Sequence, residues 1–313
     1  MEIQMKVNIS PILVLGYNRP DYLENLLDYL RFLKIDKLYI SIDGPKSDNP
    51  EDILLVNQCR EVADSTKSWC DSKVLYMDEN MGCYLGVTKG IDWFFNFEQS
   101  GIILEDDLIF DNRALDFLSL GLEMYESTAS VGSISAYNHF NYFTDSELDI
   151  YSLSVNFPSS WGWATWRDRW AMLEKEFDGY SKISYCLKMR KFGGTGNTSY
   201  WLKLRQKLIE RNLDSWAYRW LITQARYNLN TIVPSTSLIT NIGFRSDATH
   251  TKNEKKLKGN VEFSKEYRES KFHWVSKYEC AYQKLLERKV YGLYPFFSKV
   301  RRKLRFKFIN GIE

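Results

Sequence analysis

Residues 101–110 read Gly-Ile-Ile-Leu-Glu-Asp-Asp-Leu-Ile-Phe, so an apolar run ends on three consecutive acids, Glu105, Asp106 and Asp107. Adjacent carboxylates repel one another and lose solvation when gathered, so a strand end that collects them suggests a cation or a polyhydroxyl ligand. A solvated loop after a buried strand is the plainer reading of an acidic triplet. Position favours the ligand, because strand termini in an α/β pattern are where such folds bind their substrates.

The elements that would place the triplet follow from hydrophobic spacing. Ile9 to Gly16 is a short apolar run, and Asp21 to Leu33 follows with helical periodicity after Pro20. Leu38 to Ile42, Val74 to Met77, Gly101 to Leu104 and Val131 to Ala136 read as further strands. Pro50 to Ala63, Cys83 to Phe97 and Asn112 to Tyr125 read as the helices between them. The expected fold class is α/β, a mostly parallel twisted sheet with helices on both faces, followed by a C-terminal helical tail.

The carboxyl ends of the first four strands carry Asn18-Arg19, Asp43, Asp78-Glu79-Asn80 and the acidic triplet. One guanidinium and several acids around a common crevice fit a metal-bound nucleoside diphosphate, whose ribose, base or sugar would be held by carboxylates and Arg. Singly, Arg19 and Asp43 are ordinary turn residues. Trp161, Trp163 and Trp166 alternate with Gly162 and Ala164, an arrangement that suits either sugar stacking or core packing, with Trp161 expected to face the pocket. His139, His250 and His273 lack zinc-ligand spacing. Gly193-Gly194-Thr195-Gly196 reads as a loop, without the Lys-Ser/Thr of a phosphate-cradling P-loop.

With 313 residues, 44% hydrophobic and 15% aromatic, the chain can bury a large core. Its five cysteines, odd in number and without CxxC pairing, favour a reducing compartment. The net charge of +2 conceals an asymmetry. Residues 251–313 hold 17 Lys and Arg against 7 Asp and Glu, leaving 25 against 33 in residues 1–250. This divides the chain into a catalytic body, 1–250, and a basic helical extension, 251–313. Within the extension, Trp274, Val275, Tyr278, Ala281, Tyr282, Leu285 and Leu286 follow helical spacing and are expected to pack on the body. Beyond Pro295 an apolar stripe bordered by Lys and Arg suits either an anionic membrane surface or a solvated terminal helix. Nucleic acid is not expected, since no recognition motif accompanies the charge. No leader and no membrane-length apolar run is read, so the expected location is cytoplasmic, either soluble or peripheral on the inner face of the cell membrane.

Five segments occur in an order that resembles a glycosyltransferase of the GT-A fold, a Rossmann-like plan: Pro-Ile-Leu-Val-Leu-Gly-Tyr-Asn-Arg-Pro (11–20), Ser-Ile-Asp-Gly (41–44), Asn-Met-Gly (80–82), Ile-Leu-Glu-Asp-Asp-Leu (103–108) and Ser-Ile-Ser-Ala-Tyr-Asn (133–138). The likeness is to the α-mannoside N-acetylglucosaminyltransferases of N-glycan processing and to related bacterial surface-polysaccharide transferases. It extends through residues 157–166, Leu-Asp-Ser-Trp (213–216) and residues 241–251, and so covers residues 9–251.

The resemblance implies a nucleoside-diphosphate sugar donor, a glycan or lipid-linked oligosaccharide acceptor, and Mn²⁺ or Mg²⁺ as cofactor. It makes Asp107 the metal ligand, Glu105 and Asp106 the acids that hold donor sugar and ribose, and Arg19 and Asp43 nucleotide contacts. Gly82 and Lys89 fall on the helix lining the diphosphate side, and His250 in a segment that folds over the donor phosphates. Asp214 matches the family's acid-then-Trp segment as the base of an inverting transfer, although two adjacent acids of the family are here Asp214-Ser215. A helix N-cap is the alternative role for Asp214. Two other functions stay open: a sugar-nucleotide-forming nucleotidyltransferase, whose Gly-rich first loop is not matched by residues 16–20, and a non-catalytic glycan-binding protein.

Overall fold

Ile12, Leu13, Val14 and Leu15 are all buried, as a strand covered by helices on both faces requires. The structure, a computed structural model, describes residues 7–140, 149–175, 181–192, 197–243, 271–274 and 280–294. Its first half alternates as expected: β1 (Ile12–Gly16), α1 (Pro20–Phe32), β2 (Lys37–Ile42), α2 (Pro50–Ser65), β3 (Asp71–Tyr76), α3 (Gly82–Phe94), β4 (Ser100–Glu105), β5 (Leu108–Phe110), α4 (Asn112–Tyr125) and β6 (Val131–Ser135). The helix starts have local causes. Pro20 occupies the first turn of α1, Asn49 accepts from the amides of Glu51 and Asp52 at α2, and Asp111 accepts from the Arg113 amide at α4.

The second half completes the sheet with β7 (Asp149–Val155), β8 (Trp163–Trp166), α5 (Arg167–Trp170), α6 (Lys182–Met189), α7 (Thr198–Ile209), α8 (Trp216–Tyr227), β9 (Asn230–Pro234), β10 (Ile239–Asn241), β11 (Lys271–His273) and α9 (Cys280–Lys289). Nine strands lie in the order β11-β7-β9-β6-β8-β4-β1-β2-β3, and β10 pairs separately with β5. The central and right-hand strands are parallel, whereas β8 runs antiparallel between β4 and β6, and β7 antiparallel to β9. The sheet is therefore wider than the five strands read from the sequence. The added strands are short or lie far along the chain from their neighbours, so local alternation did not announce them.

Alternation along β1 sorts the core into two faces. Ile12 and Val14 pack with α1, α2 and α4, while Leu13 and Leu15 pack with α3 and with Trp163, Trp170, Trp216 and Trp220. A third cluster lies under β7 and β9, where Tyr185, Trp201, Leu208 and Ile222 meet Tyr282 and Leu286 of α9. The described residues beyond 250 thus join the body. Lys271–His273 extends the sheet edge, and Trp274 stacks on Phe117 with centroids 5.0 Å apart. No helix among the described residues is long and apolar enough to cross a membrane.

Candidate functional site

The strand order turns back on itself between β1 and β4, which leaves a crevice at their carboxyl ends. The backbone stitches the acid-bearing ends to β1: the Asp106 amide donates to the Leu15 carbonyl at 3.1 Å, and the Asp43 amide to the Gly16 carbonyl at 3.0 Å. Glu105 is the last residue of β4, and Asp106 and Asp107 turn the chain into β5. Arg19 precedes α1 without capping it, which leaves its side chain to reach across the crevice. Its Nη1 lies 3.2 Å from Asp107 Oδ2.

Asp107 is held from a second side. Asn241 Nδ2 donates to Asp107 Oδ1 at 3.0 Å, and the Ile242 amide donates to the Asp107 carbonyl at 2.9 Å. The pairing of β10 with β5 brings this turn over the acid, and Tyr22 Oη ties α1 to it by donating to the Ile242 carbonyl at 3.3 Å. Gly243 packs closely here: a Cβ would stand 1.9 Å from Asp107 Oδ2 and 3.1 Å from Arg19 Nη1, so the carboxylate would have to move.

Burial is the main cause that drives all three carboxyls upward in pKa. Asp107 and Asp106 push Glu105 further, well above the usual carboxylate range, and Arg19 opposes them. Asp106 is pushed up to about 8 by burial and then by Asp107, against the pull of Arg19. Asp107 rises least freely, because Arg19 and Asn241 both favour its ionised form. Among the described residues one guanidinium, that of Arg19, is set against three carboxyls.

At the end of β2 the chemistry differs. Asp43 Oδ1 accepts from the amides of Gly44 and Met81, each at 2.9 Å, and Oδ2 accepts from Asn80 Nδ2 at 3.2 Å. Burial raises its pKa, and the amides of Met81, Gly44 and Gly82 hold it back. Asp43 thereby fastens the 80–82 turn, where Gly82 takes a φ of +75° to open α3. A Cβ on Gly82 would lie 2.6 Å from Asp214 Oδ2, so Asp214 abuts Gly82. Asp214 Oδ1 accepts from the Tyr84 amide at 2.9 Å, a carboxylate at the positive end of α3. It does not cap its own helix, because Ser215 does so by accepting from the Tyr218 amide. Cys83 lies among these acids: burial, then Glu105 and Asp214, push its thiol up to about 12.

The crevice thus brings together Arg19, Glu105, Asp106 and Asp107 on one side and Asp43, Gly82 and Asp214 on the other, with Cys83 between. Lys89 is exposed, its Nζ 3.8 Å from Met81 Sδ. Trp161 is half-buried, its ring edge-on to Tyr137 at 4.6 Å, and it precedes β8 on the side where β4 ends. Trp163 and Trp166 are core anchors, 1% and 4% exposed. His250, residues 193–196 and the stripe beyond Pro295 lie outside the described residues.

Sequence reasoning missed Asn241, although a signal was present. Asn80-Met81-Gly82 and Asn241-Ile242-Gly243 share an Asn-x-Gly pattern, and each Asn donates to a strand-end Asp. It also missed Asp52, which accepts from Tyr17 Oη at 2.6 Å, Asn18 Nδ2 at 2.7 Å and the Lys46 amide at 2.7 Å, and so fixes the loop before Arg19. Among the described residues no group of three or more His, Cys, Asp and Glu side chains could hold a metal ion by itself. The donor set fits instead a hard cation that takes one or two carboxylates and completes its shell with phosphate oxygens, as Mg²⁺ commonly does.

No protein-family model matches the chain, and no curated protein matches it. Among solved structures it is similar to a Bacillus anthracis protein assigned as a glucose-1-phosphate thymidylyltransferase, in complex with sucrose, at 8% identity and a TM-score of 0.31, over 62% of this chain and 83% of that one. A likeness that slight carries no argument about activity, and the α/β class of the chain rests on its own sheet and helices.

Proposed function

We propose that the chain transfers a sugar from a nucleoside-diphosphate donor to a glycan or lipid-linked oligosaccharide, with inversion, using Mn²⁺ or Mg²⁺ held by Asp107. The observation that carries this reading is the acidic turn at the switch point, where among the described residues three carboxyls face the one guanidinium of Arg19. A divalent ion bound there supplies Lewis-acid chemistry, offsetting the negative charge that builds on the departing diphosphate. Arg19 meets the nucleotide with the guanidinium it lends to Asp107. Glu105 and Asp106 accept hydrogen bonds from donor-sugar and ribose hydroxyls. Asp43 keeps Gly82 on the diphosphate side, and Trp161 offers an indole face to a sugar ring.

Asp214 is the base. Its orientation is set by the Tyr84 amide at the start of α3. As the acceptor oxygen bonds to the anomeric carbon and the bond to the diphosphate breaks, Asp214 takes the hydroxyl proton. Attachment through residues 293–313 to the inner face of the cell membrane belongs to the same reading, and deleting them should lower sedimentation with anionic vesicles.

The test is incubation of purified protein with a panel of nucleotide sugars and glycan acceptors, with Mn²⁺ or with a chelator. Metal-dependent release of nucleoside diphosphate supports sugar transfer. Release of pyrophosphate from a nucleoside triphosphate and a sugar phosphate would assign the chain to sugar-nucleotide formation instead. Silence across the panel, with glycan binding retained, would leave a glycan-binding protein.

A further inference from the structure

Helix α6 is apolar on two opposite sides. Tyr185 and Met189 face inward and are 0% and 1% exposed, whereas Ile183 and Leu187, one turn apart, are 75% and 56% exposed. A helix with two apolar faces needs a partner on each. The inner partner is the cluster formed with α7, α8 and α9. On the outer side lies a groove of about 400 Å³ whose walls include Lys182, Ile183, Cys186, Leu187, Arg190 and Leu202. Its lining is mostly apolar, with Lys182 and Arg190 as its charged members.

Charge identifies the partner. From Ser181 to Ile209 the sequence holds seven Lys and Arg and no Asp or Glu. Lys182, Arg190, Lys203 and Lys207 are exposed. Burial, with Lys188 as a second cause, pushes the Lys191 ammonium down to about 8. A second copy of the chain would set this charge against itself. A surface of uniform negative charge with an apolar layer beneath it complements every feature at once. Protruding Ile183 and Leu187 enter the boundary between headgroups and acyl chains, and Lys and Arg stems lie over apolar surface with their charges at the phosphates.

We infer that the outer face of α6, with the adjoining side of α7, docks the protein on an anionic lipid bilayer. This face is distinct from the strand-end crevice and from the basic segment beyond Pro295, and it does not depend on the reaction assigned to the crevice. Residues 210–213 alone separate the end of α7 from Asp214, so docking would hold the crevice at a set height above the lipid.

The experiment is co-sedimentation of the full chain with phosphatidylcholine vesicles, with and without phosphatidylglycerol. Two variants are compared, I183S/L187S and K182E/R190E, with thermal melts as the check on folding. Because the four side chains are exposed, both variants should fold, and either alone tests the idea. The expected result is binding to phosphatidylglycerol vesicles only, weakened by at least about tenfold in each variant and by added salt. Equal binding to neutral vesicles, no binding by the unaltered chain, or unaltered binding in both folded variants would overturn the inference. So would loss of an oligomer in I183S/L187S, which would make the face a contact between copies.

Discussion

Two strand ends on either side of β1 hold their carboxylates differently. At β2 the single charge of Asp43 is spread over backbone amides and Asn80, so burial is met by donors that the fold supplies itself. At β4, among the described residues, three carboxylates share one guanidinium and one Asn side chain, and burial raises the pKa of each as it does that of Asp43. The first arrangement is complete and holds a turn in place. The second, among the described residues, sets three carboxyls against one guanidinium, and on that the proposed metal-bound donor site rests.

The most forceful way to break this contrast is Asp107→Ala. Metal-dependent donor affinity and turnover should fall by at least about a hundredfold with the thermal melt preserved. Unchanged turnover would remove Asp107 from the metal. Next in size, Asp43→Ala leaves the amides of Gly44 and Met81 without their acceptor. It should lower stability by about 3 kcal/mol in urea titrations, with or without Mn²⁺. Wild-type stability in that variant would erase the difference between the two strand ends.

The pH dependence sharpens the same comparison. With Asp106 raised to about 8, the metal-free native state binds more protons than the unfolded chain between about pH 4 and that value. The stabilisation is fully present below the unfolded pKa and is lost as pH climbs through the folded one. Stability should therefore decline from about pH 5 to about pH 8, by up to about 1.4 kcal/mol per pH unit for each proton. Asp106→Asn should flatten the slope, and so should Mn²⁺, which displaces protons on binding. A flat profile in the metal-free wild type would place the triplet among ordinary solvated acids. Smallest of the four, Asn241→Ala should cost about 1 kcal/mol and weaken donor binding less than Asp107→Ala. Calorimetric titration with a nucleoside diphosphate and Mn²⁺ measures both losses of affinity.

Much of the scaffold was legible because local rules wrote it. Ile12 to Leu15 and Ile102 to Leu104 are buried runs of strand length, and Pro20, Asn49 and Asp111 stand at helix starts. The acidic triplet was visible for the same reason, as three neighbours in sequence. What could not be read depends on chain segments meeting from afar. Arg19 and Asp107 are 88 residues apart, and Tyr84 and Asp214 are 130 apart. Their contacts follow from strand order, which hydrophobic spacing does not encode. Trp161 and Trp163 illustrate the limit: two residues apart and identical in type, they differ in burial because β8 begins between them and carries Trp163 into the core.

Asp107 meets Asn241 only after 134 further residues have been made. At the usual pace of synthesis that interval is roughly ten seconds. During it the nascent amino-terminal half can form β1 to β4, yet its acidic turn lacks the cover of β10, and Gly243 has not reached the Arg19 guanidinium. The crevice is therefore finished late, from a part of the gene remote from the acids it serves. A chain cut short before residue 241 would emerge from the ribosome with its sheet begun and its charges bare.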